Sequence, residues 1–171
     1  AEEATAAQPA EVLTGDRDLL QLVRDPMVRV LFTVRGVTDL GVFDEAAVLA
    51  AYGVPPRLYA DLAVLRGDPS DGLPGVPGIG AKGAARLLTE HGSLDGLLAA
   101  AATLTPRLQA SLEGAREYIA AMREVVPVRR SLDVRVSAAG RPDVDRLRAL
   151  GERHAIESPV TRMLAVLEPS G

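Results

Sequence analysis

Apolar residues follow two different rhythms along the chain, and the change from one to the other divides it. Between Glu11 and Phe43 they come in short runs: Val12-Leu13 ahead of Gly15, then Arg29–Val34 and Val37–Phe43 on either side of Arg35-Gly36. The first run predicts the end of a short buried strand with Asp16 and Asp18 at its C-terminal tip, and the other two predict a β-ribbon. Leu19–Val23 between them predicts a helical turn. From Asp44 the spacing becomes helical. Asp44 caps a helix through Leu49–Tyr52 that Gly53 stops, and Pro55-Pro56 opens another, with Leu58, Leu62 and Leu65 on one face, ending at Gly67. Gly, Pro and Asp dominate from Asp68 to Gly80, which excludes regular helix or sheet and predicts a structured loop.

Helical spacing resumes at Ala84–His91 and stops at Gly92; Ser93 caps the next helix, and Thr105-Pro106 opens a long one through Tyr118, Ile119 and Met122, closed by Pro127. Leu132–Val136 alternates as a strand would, Asp143 caps a helix through Leu150, and Ser158-Pro159 starts a last short helix. The fold class expected is mainly α with a few strands near the start, and no repeat of solenoid length is present.

Composition narrows the chemistry. At 171 residues, 47% hydrophobic and 25% charged, the chain has the balance of a globular protein. Aromatics at 3% and no Trp leave the core to Leu, Val and Ala. The absence of Cys excludes disulfides, thiolate nucleophiles and cysteine-held zinc, so any metal must be held by oxygen or by the two histidines. With neither a long apolar run nor a signal-peptide pattern, no membrane partner and a cytoplasmic location are the expectation. A net charge of −4 argues against coating nucleic acid through bulk positive potential but leaves room for a local basic surface.

Two constellations carry candidate chemistry. Gly75-Val76-Pro77-Gly78-Ile79-Gly80-Ala81-Lys82 places glycines around an apolar residue just before a helix. Such a hairpin can turn its N–H groups outward, add the positive end of the helix and form a phosphate site, with Ile79 plugged into the core and Lys82 as a point charge. Gly78 and Gly80 are then expected to need conformations or close approaches that a Cβ obstructs. The same residues also fit a plain helix-capping turn. The second constellation is Gly15-Asp16-Arg17-Asp18 with Gly67-Asp68-Pro69-Ser70-Asp71. Carboxylates at alternate positions leaving a strand can face one cavity, and a pair across a turn can converge on it; such hard oxygen donors suit Mg²⁺ or Mn²⁺. Taken singly, each aspartate reads better as a turn former than as a metal ligand. His91 and His154 have no partners at ligand spacing and read as solvated helix residues, and Arg129-Arg130 as an exposed basic pair.

The order of these segments, Gly15–Val23, Tyr52-Gly53-Val54-Pro55-Pro56, Gly67–Lys82 and His91-Gly92-Ser93-Leu94, closely resembles the bacterial 5′-nuclease family of flap endonucleases and DNA polymerase I 5′-3′ exonuclease domains, over about residues 11–135. The resemblance implies the C-terminal part of an α/β, PIN-like nuclease domain with a helix-hairpin-helix (helix-three-turn-helix) subdomain. It divides the chain into 1–45, the end of the nuclease core; 46–126, a helical DNA-binding region with its hairpin at 73–88; and 127–171, a C-terminal strand and helices. By position it assigns Asp16, Asp18, Asp68 and Asp71 to the second metal of a two-metal site, and Gly75, Gly78, Ile79, Gly80 and Lys82 to sequence-independent contact with duplex DNA, with a K⁺ between hairpin carbonyls and a phosphate.

Gly72 and Gly83 depart from the family, which often has Asn and Thr or Ser there. The family's first-metal carboxylates, basic arch and acidic helix pair fall upstream of Ala1. The expected activity is a metal-dependent 5′-nuclease, acting as a monomer on DNA with a 5′ end or flap, and the end at Glu168-Pro169-Ser170-Gly171 favours a stand-alone nuclease over a polymerase fusion. The alternative is a non-catalytic, structure-specific DNA-binding module using the same hairpin, or an inactive fragment, and clustered carboxylates facing DNA weigh against a pure binding module.

Overall fold

The structure is a computed structural model that describes residues 4–130, 132 and 142–167. It divides into two compact units, Ala1–Ser131 and Leu132–Gly171.

The first unit opens with a three-stranded sheet in the order β1-β2-β3. β1 (Ala10–Thr14) runs parallel to β2 (Val28–Thr33), with Ala10 opposite Val28 and Thr14 opposite Phe32; β3 (Leu40–Phe43) returns antiparallel, with Val30 opposite Phe43. Parallel strands need a crossover. Here it is the 3-10 turn Arg17–Leu22, which starts at the C-terminal tip of β1. The expected ribbon is present, but β1 is not the buried strand that its Val12-Leu13 pair suggests. Only its inner face packs, and on the outer face Leu13 is 56% exposed, as Val42 of β3 is at 53%. The register puts Leu13 opposite Leu31 and Leu31 opposite Val42, so the outer face carries an apolar row next to the Glu11–Arg29 ion pair. β1 has β2 as its one sheet partner among the described residues.

Helices form where their caps are written. α1 (Glu45–Tyr52) begins at Asp44, whose carboxylate accepts the Ala47 N–H at 2.7 Å, and ends at Gly53 in the left-handed region. After the 3-10 turn Pro56–Leu58 comes α2 (Tyr59–Arg66), in which Tyr59, Leu62, Ala63, Val64 and Leu65 are all buried. A helix enclosed on nearly every side is the axis of the core, and truncating Leu62 to Ala there costs about 2–5 kcal/mol. α3 (Ala81–His91) buries Ala84, Leu87 and Leu88 against it and stops at Gly92; α4 (Leu94–Ala99) starts at Ser93, which accepts the Gly96 N–H.

The long helix expected from Pro106 is two: α5 (Pro106–Gly114) and α6 (Arg116–Val125), broken at Ala115 with φ −99° and ψ 8°. Gly114 has little preference for helix, and the break lets Leu112, Ala115 and Ile119 all enter the core. The strand expected over 132–136 lies, apart from Leu132, outside the described residues.

In the second unit, α7 (Val144–His154) is capped by Asp143 as expected, and α8 (Glu157–Leu167) starts slightly ahead of Ser158. The two meet where Gly151 leaves room for Val160. No described helix is long and apolar enough to cross a membrane.

Candidate metal and nucleic-acid site

The two aspartate pairs come from segments some fifty residues apart and meet at one open cavity of about 420 Å³, walled by Gly15, Asp16, Arg17, Asp18, Phe32, Asp68, Ser70 and Asp71. Each pair is set by local chemistry. Asp16 caps the 3-10 turn after β1: its N–H donates to Thr14 Oγ1 at 2.9 Å and its carboxylate accepts the Asp18 N–H at 2.9 Å. Asp68 caps the 3-10 turn Pro69–Asp71 and accepts from both the N–H and the hydroxyl of Ser70. The turn-forming and cavity-lining readings of these aspartates therefore hold together, since the capping bonds are what aim the carboxylates.

Their electrostatics differ. Burial, and then the charges of Asp16, Asp71 and Asp68, push the Asp18 carboxyl above its usual range, with Arg66 opposing. Asp68 is held below the usual range by the Ser70 hydroxyl, against the pull of burial, with help from the Ser70 N–H, Arg66 and Arg17. The cavity thus concentrates negative charge that its own cations do not balance. Among the described residues no three His, Cys, Asp or Glu side chains are grouped to hold a metal by themselves. An all-oxygen set that repels itself without forming a cage fits a hard cation that keeps several waters and completes its shell on substrate, as Mg²⁺ commonly does.

Behind the cavity runs a support that sequence reading missed. Phe32 meets Phe43 edge-on with ring centres 6.2 Å apart, Phe43 meets Tyr52 at 6.4 Å, and Tyr52 meets Tyr59 at 5.0 Å. The Arg66 guanidinium lies 5.7 Å from the centres of both tyrosine rings, donates to the Tyr59 hydroxyl at 3.3 Å and pairs with Asp68 at 3.7 Å. Its place at the last turn of α2, just before Gly67-Asp68, was the available signal. The fifth aromatic residue, Tyr118 on α6, accepts the Gly75 N–H at 3.1 Å and so holds the far end of the loop.

The hairpin has the expected plug. Val76 and Ile79 are buried, Val76 N–H donates to Leu65 O at 2.8 Å, and Ile79 N–H returns to Val76 O at 3.0 Å. Gly78 turns at φ +79° and has α5 beside it at Ser111. Gly80 departs from one half of the expectation made for it: its φ is an ordinary −86°, and no group of this chain lies within 4 Å of a Cβ there, so any close approach is to something outside the chain. Gly75 also departs from an outward-facing role, because its N–H is taken by Tyr118 and a Cβ would strike the Arg66 backbone. What is open is the start of α3. Gly80 supplies no side-chain cap to its first N–H groups, nothing crowds Gly80 or Gly83, and Lys82 is exposed in the first turn.

His154 is exposed as expected, whereas His91 is half-buried with its Nε2 enclosed and without a hydrogen-bond partner. Arg130 is not simply part of an exposed pair, since its guanidinium donates to Gln21 O at 2.6 Å.

Comparison with known proteins agrees with this architecture. Residues 54–144 match the family described as the 5′-3′ exonuclease C-terminal SAM fold. A 5′-3′ exonuclease of Streptomyces coelicolor is 46% identical over 173 residues, covering 96% of this chain and 58% of the relative. DNA polymerase I of Mycobacterium leprae is 55% identical over 87 residues, covering 51% of this chain and 9% of the polymerase. The bacteriophage T5 D15 flap endonuclease, solved as a pseudo-enzyme-product complex with DNA and metal ions, shares the fold at a TM-score of 0.56 and 18% identity, over 93% of this chain and 53% of that one. The chain spans a little over half the length of the exonucleases it matches.

Proposed function

Since the chain belongs to the 5′-3′ exonuclease C-terminal SAM fold family, we propose that it is the duplex-gripping and second-metal part of a divalent-metal-dependent 5′-nuclease, a 5′-3′ exonuclease or flap endonuclease acting on DNA. The observation that carries this reading is the convergence of Asp16, Asp18, Asp68 and Asp71 on one cavity. These four hold Mg²⁺ or Mn²⁺, directly or through water. When bound, the cation supplies Lewis-acid stabilisation of the charge that develops on the transferred phosphoryl group and its leaving oxygen.

The chain's own groups do the rest. Arg66 and Ser70 keep Asp68 ionised and aimed, and Phe32 forms one apolar wall of the cavity. The bare N-terminus of α3 offers N–H groups to a backbone phosphate, with Lys82 as an adjacent charge and Gly80 leaving space for close approach. Gly78 and Ile79 shape the turn, and Gly75 anchors it from behind. A K⁺ shared between hairpin carbonyls and a phosphate belongs to the same proposal. With no base-reading side chain in this set, recognition is of backbone and shape, at a 5′ end or flap rather than at a sequence.

The test is cleavage of a 5′-flapped duplex by a protein that supplies the remaining carboxylates. Asp16→Asn or Asp68→Asn is expected to lower turnover by more than about 100-fold while duplex affinity changes less than about threefold. Unchanged turnover in both variants removes the metal assignment and leaves the non-catalytic DNA-binding module as the reading.

A further inference from the structure

Gln21 is the one buried amide side chain among the described residues, 5% exposed. A buried amide is costly unless both of its ends are paired. Both are. Its Nε2 donates to Val126 O at 3.1 Å and its Oε1 accepts the Val128 N–H at 3.2 Å, while its own backbone carbonyl accepts from Arg130 at 2.6 Å. Three bonds thus tie one residue to the segment leaving α6, more than a hundred positions away in sequence.

We propose that Gln21 is a positioning residue: by clamping the 3-10 turn Arg17–Leu22 to the segment Val126–Arg130, it fixes the direction in which Asp16 and Asp18 present their carboxylates. The inference rests on the reading of the four aspartates as a cation site. The turn has about three residues per turn, so Asp18 and Gln21 stand in one row along its axis, and rotating Gln21 off the clamp swings Asp18 away from the cavity. The other half of the cluster is referred to the same helix, because Tyr118 of α6 holds Gly75 at the end of the loop that carries Asp68 and Asp71. α6 is therefore a frame common to both aspartate pairs, beside α2, which packs on the turn Arg17–Leu22 and pairs Arg66 with Asp68. Supporting bonds of this kind typically change metal affinity without touching the metal.

The experiment measures Mn²⁺ affinity of the full chain by the loss of the free-ion electron paramagnetic signal, well below the melting temperature of each variant. Gln21→Met, which keeps length and volume but cannot hydrogen-bond, is expected to weaken Mn²⁺ binding by about tenfold, with duplex affinity in EDTA within about twofold. A residue that only supports stability would lower the melting temperature and leave Mn²⁺ affinity alone; that result overturns the proposal. Asp18→Asn is measured beside it. If Asp18→Asn weakens Mn²⁺ binding and Gln21→Met does not, the clamp fails and the aspartate site stands, whereas unchanged binding in Asp18→Asn removes the site and the clamp with it. Should Gln21→Met not fold, Arg130→Met releases the carbonyl of Gln21 from the surface side and is expected to weaken Mn²⁺ binding by about threefold; unchanged affinity there also overturns the proposal.

Discussion

Gly67 and Gly75 lie backbone to backbone: a Cβ on Gly67 would come within 2.5 Å of Gly75 N, and one on Gly75 within 2.5 Å of the Arg66 carbonyl. Neither neighbour is a flexible tip that can step aside, so Gly75→Ala is expected to cost more than about 3 kcal/mol and unfold much of the loop. Gly78 needs its positive φ but has space, and Gly78→Ala is expected to cost about 1 kcal/mol. Gly80 needs neither. Its replacement by Ala is expected to cost about 1 kcal/mol or less in thermal melts, the loss of a modest cap, while weakening duplex binding more than Lys82→Ala does in fluorescence anisotropy. If Gly80→Ala binds like the wild type, the open start of α3 is not where a phosphate sits. Sequence reading grouped these glycines because they share a motif. The structure separates them because backbone conformation and neighbours, which a motif does not encode, decide what a methyl group would meet.

At the scale of elements, what was legible was what is local. The caps Asp44, Ser93 and Asp143 and the stops Gly53 and Gly92 act within one turn of their own helices, and all five do so as their chemistry dictates. The break at Ala115 was illegible because it is set by how Leu112 and Ile119 enter a shared core. The site divides the same way: the aspartates could be named from spacing, but Arg66, Tyr118 and Gln21 act through partners far away in sequence.

α2 makes one such long-range role measurable. Tyr59 is fully buried, and burial pushes its phenol up to about 12 from the ordinary 10.0, with Arg66 pulling the other way. A group whose folded pKa lies above its unfolded one gives stability that is complete below the unfolded value and is lost as pH rises through the folded value. The fold is therefore expected to weaken between about pH 10 and 12. Absorbance titration at the phenolate band should show a component in that range that Tyr59→Phe removes, and the variant's melting temperature should fall less steeply over the same interval. A titration unaltered by Tyr59→Phe contradicts this.

For the chain as a whole, the net charge of −4 means that under the proposed function attraction to DNA has to be local, and the cavity of four aspartates makes it weaker still wherever a cation is lacking. On that reading hairpin and cavity are complementary, one drawing phosphate in and the other holding it off until its charge is neutralised.

The outer face of the sheet has a quite different consequence, one of colloid behaviour. Among the described residues β1 ends the sheet with a rim of unshared N–H and C=O groups; Leu13 stands on it in the open, and Val42 lies exposed in the same row across β2. Such a rim is a template on which a second molecule can crystallise its own strand, and the apolar row gives that encounter an adhesive side. Preparations of this chain are expected to stay single in dilute solution and to thicken into dimers and larger species as concentration rises to on the order of hundreds of micromolar. Leu13→Lys, which puts a charge on the rim without entering the core, should abolish that growth in sedimentation velocity; equal association by the variant would place the adhesion elsewhere.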